Sequence, residues 1–395
     1  MGASPYGRVG GTVSTNLIAR KGMTPFVVST LFGKPLSTKT FYFMQPIARA
    51  LLLVFSVTAF QSVANAATKT WNAATGNWSD SGNWSGGLPT ASDDVVVDNG
   101  GTVTAGNSTY NTGNAVTVGQ SDTGILNLVG GATVAIQGGT GTLTLAQNSG
   151  SFGTLNIGTG GSAGTLSANH VNGGAGTAVL NFNAPNSNVT FDSQISGSIT
   201  VNKLGGGTVL LKRKDSAPYE NNYTGGTNIN GGILSFEQWA LGSSGTVAFT
   251  GNATLRWSGL NNEDVSGRIK IEDGVTATLD IQNTTTFASA FQTGAAKTGA
   301  LIKAGAGRLT MGAANVYTGG TTVNSGELLF GNSVATLGSQ SLTLNASSTT
   351  ASVAGLRFSQ SAGNATVIIK GGTSTCCRIS FDTEGEAEGR FRRGR

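Results

Sequence analysis

Few residues in this chain have the type and spacing that chemistry requires. His170 is the single histidine, in the turn-like stretch "SANHVNGG", so a multi-histidine metal site is excluded and the plain reading is a solvated turn histidine. Asp93, Asp94 and Asp98 form the densest acidic group ahead of the C-terminal tail. Paired carboxylates serve glycoside hydrolysis or calcium binding. Neighbours on a strand point to opposite faces, however, so these three read as a polar turn and strand start. Lys203 and Lys303 are the bases that an enzyme would have to draw on. Cys376 and Cys377 are adjacent and are the only cysteines, which gives neither a disulfide framework nor a zinc site. These patterns predict no catalytic residue, no metal and no cofactor.

Two groups of side chains suit contact with a ligand instead. Trp71, Trp78 and Trp84 fall close together, the last two in the tandem "GNWSDSGNWSGG". Such rings stack on sugars, or cover the open end of a stacked fold, because each buries a large apolar area. The second group, Lys212, Arg213 and Tyr219, lies in "KRKDSAPYENN".

The elements that must position these residues are short strands. Gly supplies 61 of 395 residues and charged residues only 11%, which is the reverse of a charged disordered chain. "AVTVG", "ILNLVGG", "TVAIQGG", "TLTLAQ" and "TLNIGTGG" follow one another from Ala115, each with apolar residues at i and i+2. A faint repeat runs through them: Val116 and Val118 correspond to Leu143 and Leu145, and Leu126 and Leu128 to Leu155 and Ile157. Val95–Val97 is the predicted first strand.

A larger repeat is superimposed. "NYTGGTNINGGILSF" (222–236) returns as "VYTGGTTVNSGELLF" (316–330) with nine of fifteen positions identical. Ahead of them, "VNKLGGGTVLL" matches "LIKAGAGRLTM", with Lys203/Lys303, Gly205/Gly305 and Gly207/Gly307 in register. The first copy carries the 212–222 segment as an insertion, which reads as a surface loop. A unit of two short strands cannot bury its apolar face alone and must stack on copies of itself. Leu328 and Phe330 are predicted to point into that stack, and Asn and Thr to form ladders along it.

The K-x-G-x-G-x-L pattern followed by "YTGGTTVNSGEL" resembles the autotransporter-associated β-strand repeat, the passenger-associated transport repeat of bacterial autotransporters. The opening "GNWSDSGNWSGGLPTASDDVVV" is similar to the N-terminal segment of large secreted proteins carrying that unit. The resemblance implies an all-β fold, a right-handed parallel β-helix with Gly-rich turns. It implies a secreted or surface-displayed passenger, often adhesive, meeting a host or neighbouring cell surface or its glycans. The competing readings are a carbohydrate-active β-helix enzyme and a glycan-binding module built on the tryptophans.

The ends of the chain fit that reading in part. Arg49, the apolar run Ala50–Phe60 and Ala64-Asn65-Ala66 have the layout of a secretory signal peptide, with cleavage expected after Ala66 and Met44 as the expected start. The 1–66 stretch holds six bases and no acid, and the 374–395 stretch holds five bases and four acids, leaving thirteen bases against fifteen acids between them. That body has no footprint for nucleic acid. The expected organisation is a leader (1–66), an N-terminal capping segment (67–114), a β-helix (115–373) with repeats at 201–257 and 301–358, and a charged tail (374–395). The tail reads as a foreign segment standing where a membrane barrel is expected, so an outer-membrane link is expected only through a translocator missing from this chain.

Overall fold

The computed structural model describes residues 67–214 and 220–330, and the backbone of short strands beyond them: Met23–Phe26, Thr30–Leu31, Lys34–Pro35, Phe41–Met44, Ser341–Asn345, Ala354–Phe358, Thr366–Lys370 and Cys377–Phe381. The apolar run Ala50–Phe60, the Ala64-Asn65-Ala66 site, Tyr219, Cys376 and residues 382–395 lie outside the described residues, as do the side chains of Phe330 and Cys377. The chain divides into two compact units between Asn65 and Ala66. In the first, Met23–Phe26 pairs with Phe41–Met44 and Thr30–Leu31 with Lys34–Pro35, both antiparallel.

The second unit is a parallel β-solenoid. Among the described residues its strands form sheets of six, ten, three, nine and five members, and each strand pairs with the equivalent strand of the next coil. The alternating pattern sets the register. Val116 and Val118 lie beside Leu143 and Leu145, and Leu126 and Leu128 beside Leu155 and Ile157, so each step of the faint repeat is one coil. All eight of these side chains are buried. The residues between them face outward and are half-buried.

One outward column is a ladder of amides. Asn156 Nδ2 donates to Asn127 Oδ1 at 2.7 Å, Asn181 to Asn156, Asn202 to Asn181 and Asn228 to Asn202, each at 2.8 Å. The side-chain spacing matches the spacing of the strands, so each amide satisfies the next.

The coil begins earlier than the alternation predicts. Thr68–Thr70 pairs with Asp94–Val97, and Thr75–Asn77 with Gly101–Gly106. The 67–114 segment therefore already contributes strands to the two sheets that continue beyond it. Such short strands leave too few positions for an alternating period to register.

The ten-stranded and nine-stranded sheets run through the middle of the solenoid, and its third side is interrupted. The six-stranded sheet ends at Gln194–Ser196 and the five-stranded sheet begins at Thr285–Phe287. Between them the described residues on that side, 212–214 with 220–226, 237–246 and 258–268, hold no strand.

Packing between coils is close enough to exclude a methyl group at some positions. A Cβ on Gly153 would lie 2.2 Å from both the Ala146 nitrogen and the Val118 carbonyl oxygen. Gly161 has open space around it. Gly153→Ala is expected to cost about 1–3 kcal/mol, the usual range for forced overpacking, with Gly161→Ala near neutral. Chemical denaturation of the two variants side by side checks this, and equal midpoints would refute it.

Candidate functional site

The tryptophans form a packed cluster. Trp71 and Trp84 meet edge to face at 4.9 Å between ring centroids, and Trp78 lies 5.0 Å from Trp84 and 5.4 Å from Tyr110. Trp84 Nε1 donates to the Trp78 carbonyl at 2.8 Å. Trp71, Trp78 and Trp84 are each 3% exposed or less, which leaves no free ring face for a sugar. They pack into the continuous core instead, at the end of the solenoid where the first strands lie.

The acids are committed to backbone. Asp98 accepts the amides of Gln120, Ser121 and Asp122, and Asp94 accepts that of Ala115 at 3.0 Å. Asp93 accepts the Thr90 hydroxyl at 2.7 Å and its amide at 2.9 Å, and the hydroxyl bond holds its carboxyl below the usual range. These carboxylates fasten turns and strand starts. His170 Nε2 lies 2.7 Å from Asn169 Nδ2. One stretch, Gly160–Gly164, has the G-x-S-x-G pattern, but Ser162 is exposed in a bend between strands, with no helix after it. Among the described residues no group of three or more His, Cys, Asp or Glu could hold a metal ion.

Lys203 and Lys303 are buried as well. Lys303 Nζ donates to the carbonyls of Ala304, Gly305 and Ser325 at 2.8–2.9 Å. Lys203 Nζ donates to those of Gly205 and Gly231, the latter at 2.8 Å. Each ammonium closes its own glycine turn and ties it to the turn of the next coil. Burial pushes both groups down to about 8. They staple corners, and the nearby Asp280 carboxylate opposes the downward push on Lys303.

The rest of the repeated sentence completes the same device. Asn221 Oδ1 accepts the Ile195 amide, and Asn315 Oδ1 the Phe291 amide, both at 2.9 Å. Tyr223 and Tyr317 are fully buried, with their hydroxyls 2.7 and 2.8 Å from those of Thr227 and Thr321. Burial raises both phenols, that of Tyr223 to about 12. Lysine, asparagine, tyrosine and threonine thus allow a coil to replace its third strand with a loop plugged by a tyrosine.

The two copies are not on the same sides. In the first, the strands Ile199–Lys203 and Thr208–Leu211 belong to the ten- and nine-stranded sheets. In the second, Ala300–Ala304 and Arg308–Met311 belong to the nine- and five-stranded sheets. The whole unit has moved one side around the axis.

Residues 201–236 and 301–330 match the family model of the passenger-associated-transport-repeat. The two segments are thus similar to passenger-associated transport repeats. In both, the matched stretch runs from the lysine strand to the second strand after the buried tyrosine. These repeats and the parallel solenoid fit a passenger domain of an autotransporter. No curated protein and no solved structure is significantly similar to the chain.

At the end of the first repeat lies a cluster that the sequence analysis did not single out. Trp239 is 40% exposed, with the Arg213 guanidinium 5.1 Å from its ring centroid. Arg213 was a candidate, and Lys212 and Lys214 beside it are half-buried. The signal available was a tryptophan outside the alternating pattern, in "FEQWALGS".

Proposed function

We propose that the chain is a secreted or surface-displayed passenger: a rigid β-helical rod that works by adhesion, without catalysis of its own. The observation that carries this reading is the corner device. The residues with chemical potential, Asp94, Asp98, Lys203 and Lys303, are bound to backbone groups of the stack itself. Groups so committed are unavailable to a substrate. The passenger repeats support the extracellular location, and the signal-peptide layout ending at Ala66 supports export.

Export and inertness are tested together. The chain expressed from Met44 in a Gram-negative host is expected outside the cytoplasm with Ala67 as its first residue. Incubated with pectins, other uronides and neutral glycans, it is expected to release no products. A mature chain still starting at Met44, or turnover abolished by Asp94→Asn, overturns the reading.

A further inference from the structure

The interrupted side of the solenoid gathers a site from three successive loops. Arg213 comes from the residues just after the strand ending at Leu211, Trp239 from 237–246 and Glu263 from 258–268. Trp239 is held firmly by its backbone. Its amide donates to Glu263 Oε2 at 2.7 Å, and its carbonyl accepts the Asn221 amide at 3.2 Å. Its φ is +65°, a left-handed conformation costly for a bulky side chain. Strain of this kind persists where the surroundings enforce it, and clusters at ligand clamps. Here the enforced conformation keeps an indole partly exposed beneath an arginine. A buried tryptophan would be explained by packing, whereas this one is the most exposed of the chain's five.

The charges around the ring select a ligand class. Lys212-Arg213-Lys214 is the only run of three bases between Ala67 and Thr373. The neighbouring acids are turned to backbone: Glu237 accepts the Arg213 amide at 3.2 Å and Glu263 the Trp239 amide at 2.7 Å. Among the described residues no ion pair engages the Arg213 guanidinium. An indole face suits the CH face of a pyranose ring. A guanidinium fork suits a carboxylate, which it binds with two parallel hydrogen bonds. A single run of three bases is too small a footprint for a nucleic-acid backbone, which is held through many phosphates.

We propose that Arg213 and Trp239 form a binding platform for an acidic polysaccharide, with a uronic acid ring on the indole and its carboxylate on the guanidinium. This goes beyond the passenger reading and is tested in solution, so it stands or falls whether or not the chain is exported. The probes are polygalacturonate, neutral dextran and dextran sulfate, in affinity electrophoresis of the full chain. Polygalacturonate is expected to retard the protein, and the other two at least tenfold less. Trp239→Gly is expected to weaken retardation at least tenfold while melting at or above the native temperature, because glycine relieves the left-handed backbone. Arg213→Ala keeps the ring and removes the fork, and is expected to weaken retardation to a similar degree. Equal retardation by dextran sulfate, or native retardation of either variant, overturns the proposal.

Discussion

Phe236→Asp is expected to open the middle of the solenoid. Phe236 is fully buried, with Leu211 beside it on one coil and Trp257 on the next. Its ring meets Trp257 edge to face at 5.0 Å. Removing such a ring costs about 3–5 kcal/mol through lost transfer energy and the cavity left behind. A carboxylate in its place adds several kcal/mol, or is forced to take up a proton. The damage should spread, because Trp257, Phe287, Phe291 and Tyr317 continue the line of ring contacts toward the second repeat. Each coil is stabilised mainly by its neighbours. Limited proteolysis should therefore cut the variant between the two repeats while the native chain resists. Thr254→Asp, on the outer face of the adjacent strand, should leave that resistance intact. Equal digestion of Phe236→Asp and native protein would refute the packing account.

The second large effect is expected at Lys303. Two opposing terms decide its sign. Burial of the ammonium is unfavourable, and the fall from 10.5 to about 8 corresponds to roughly 3 kcal/mol. Lys303→Met removes that cost but leaves the carbonyls of Ala304, Gly305 and Ser325 without this donor. The Ala304 carbonyl keeps the Ile281 amide, so two buried acceptors are orphaned, those of Gly305 and Ser325, at about 1–3 kcal/mol each. Lys203→Met likewise orphans two, those of Gly205 and Gly231. The loss of hydrogen bonds outweighs the relief by about 1–2 kcal/mol in each variant. Denaturant unfolding of both checks this, and a Lys303→Met protein as stable as native would sink the staple.

The parts of this fold that a sequence can express as a period were legible. Val116 and Leu143, or Leu126 and Leu155, are paired in the structure because a buried position recurs once per coil. The asparagine ladder was legible for the same reason, since identical outward residues recur in register. Leu328 is buried, as its alternation implies, and the repeated lysines were visible as a pair. Their role was not visible, because a carbonyl cage is built from backbone and leaves no residue-type signature. The burial of Trp71, Trp78 and Trp84 was open in the sequence, where a cap and a sugar platform look alike. Trp239 escaped notice because its exposure depends on three loops brought together by coiling, with Arg213 and Glu263 distant in sequence.

The shift of the second repeat by one side has a consequence for display. A unit locked to one side would line its plugged loops along a single edge, like teeth on a comb. Here the loop holding Tyr223 crosses the side the six-stranded sheet has left, and the loop holding Tyr317 crosses the side the ten-stranded sheet has left. Whatever such loops carry therefore points to different compass bearings about the long axis. A rod built in this way can meet neighbours approaching from more than one direction without any hinge, because the bearing of each loop is set by the number of strands laid down before it.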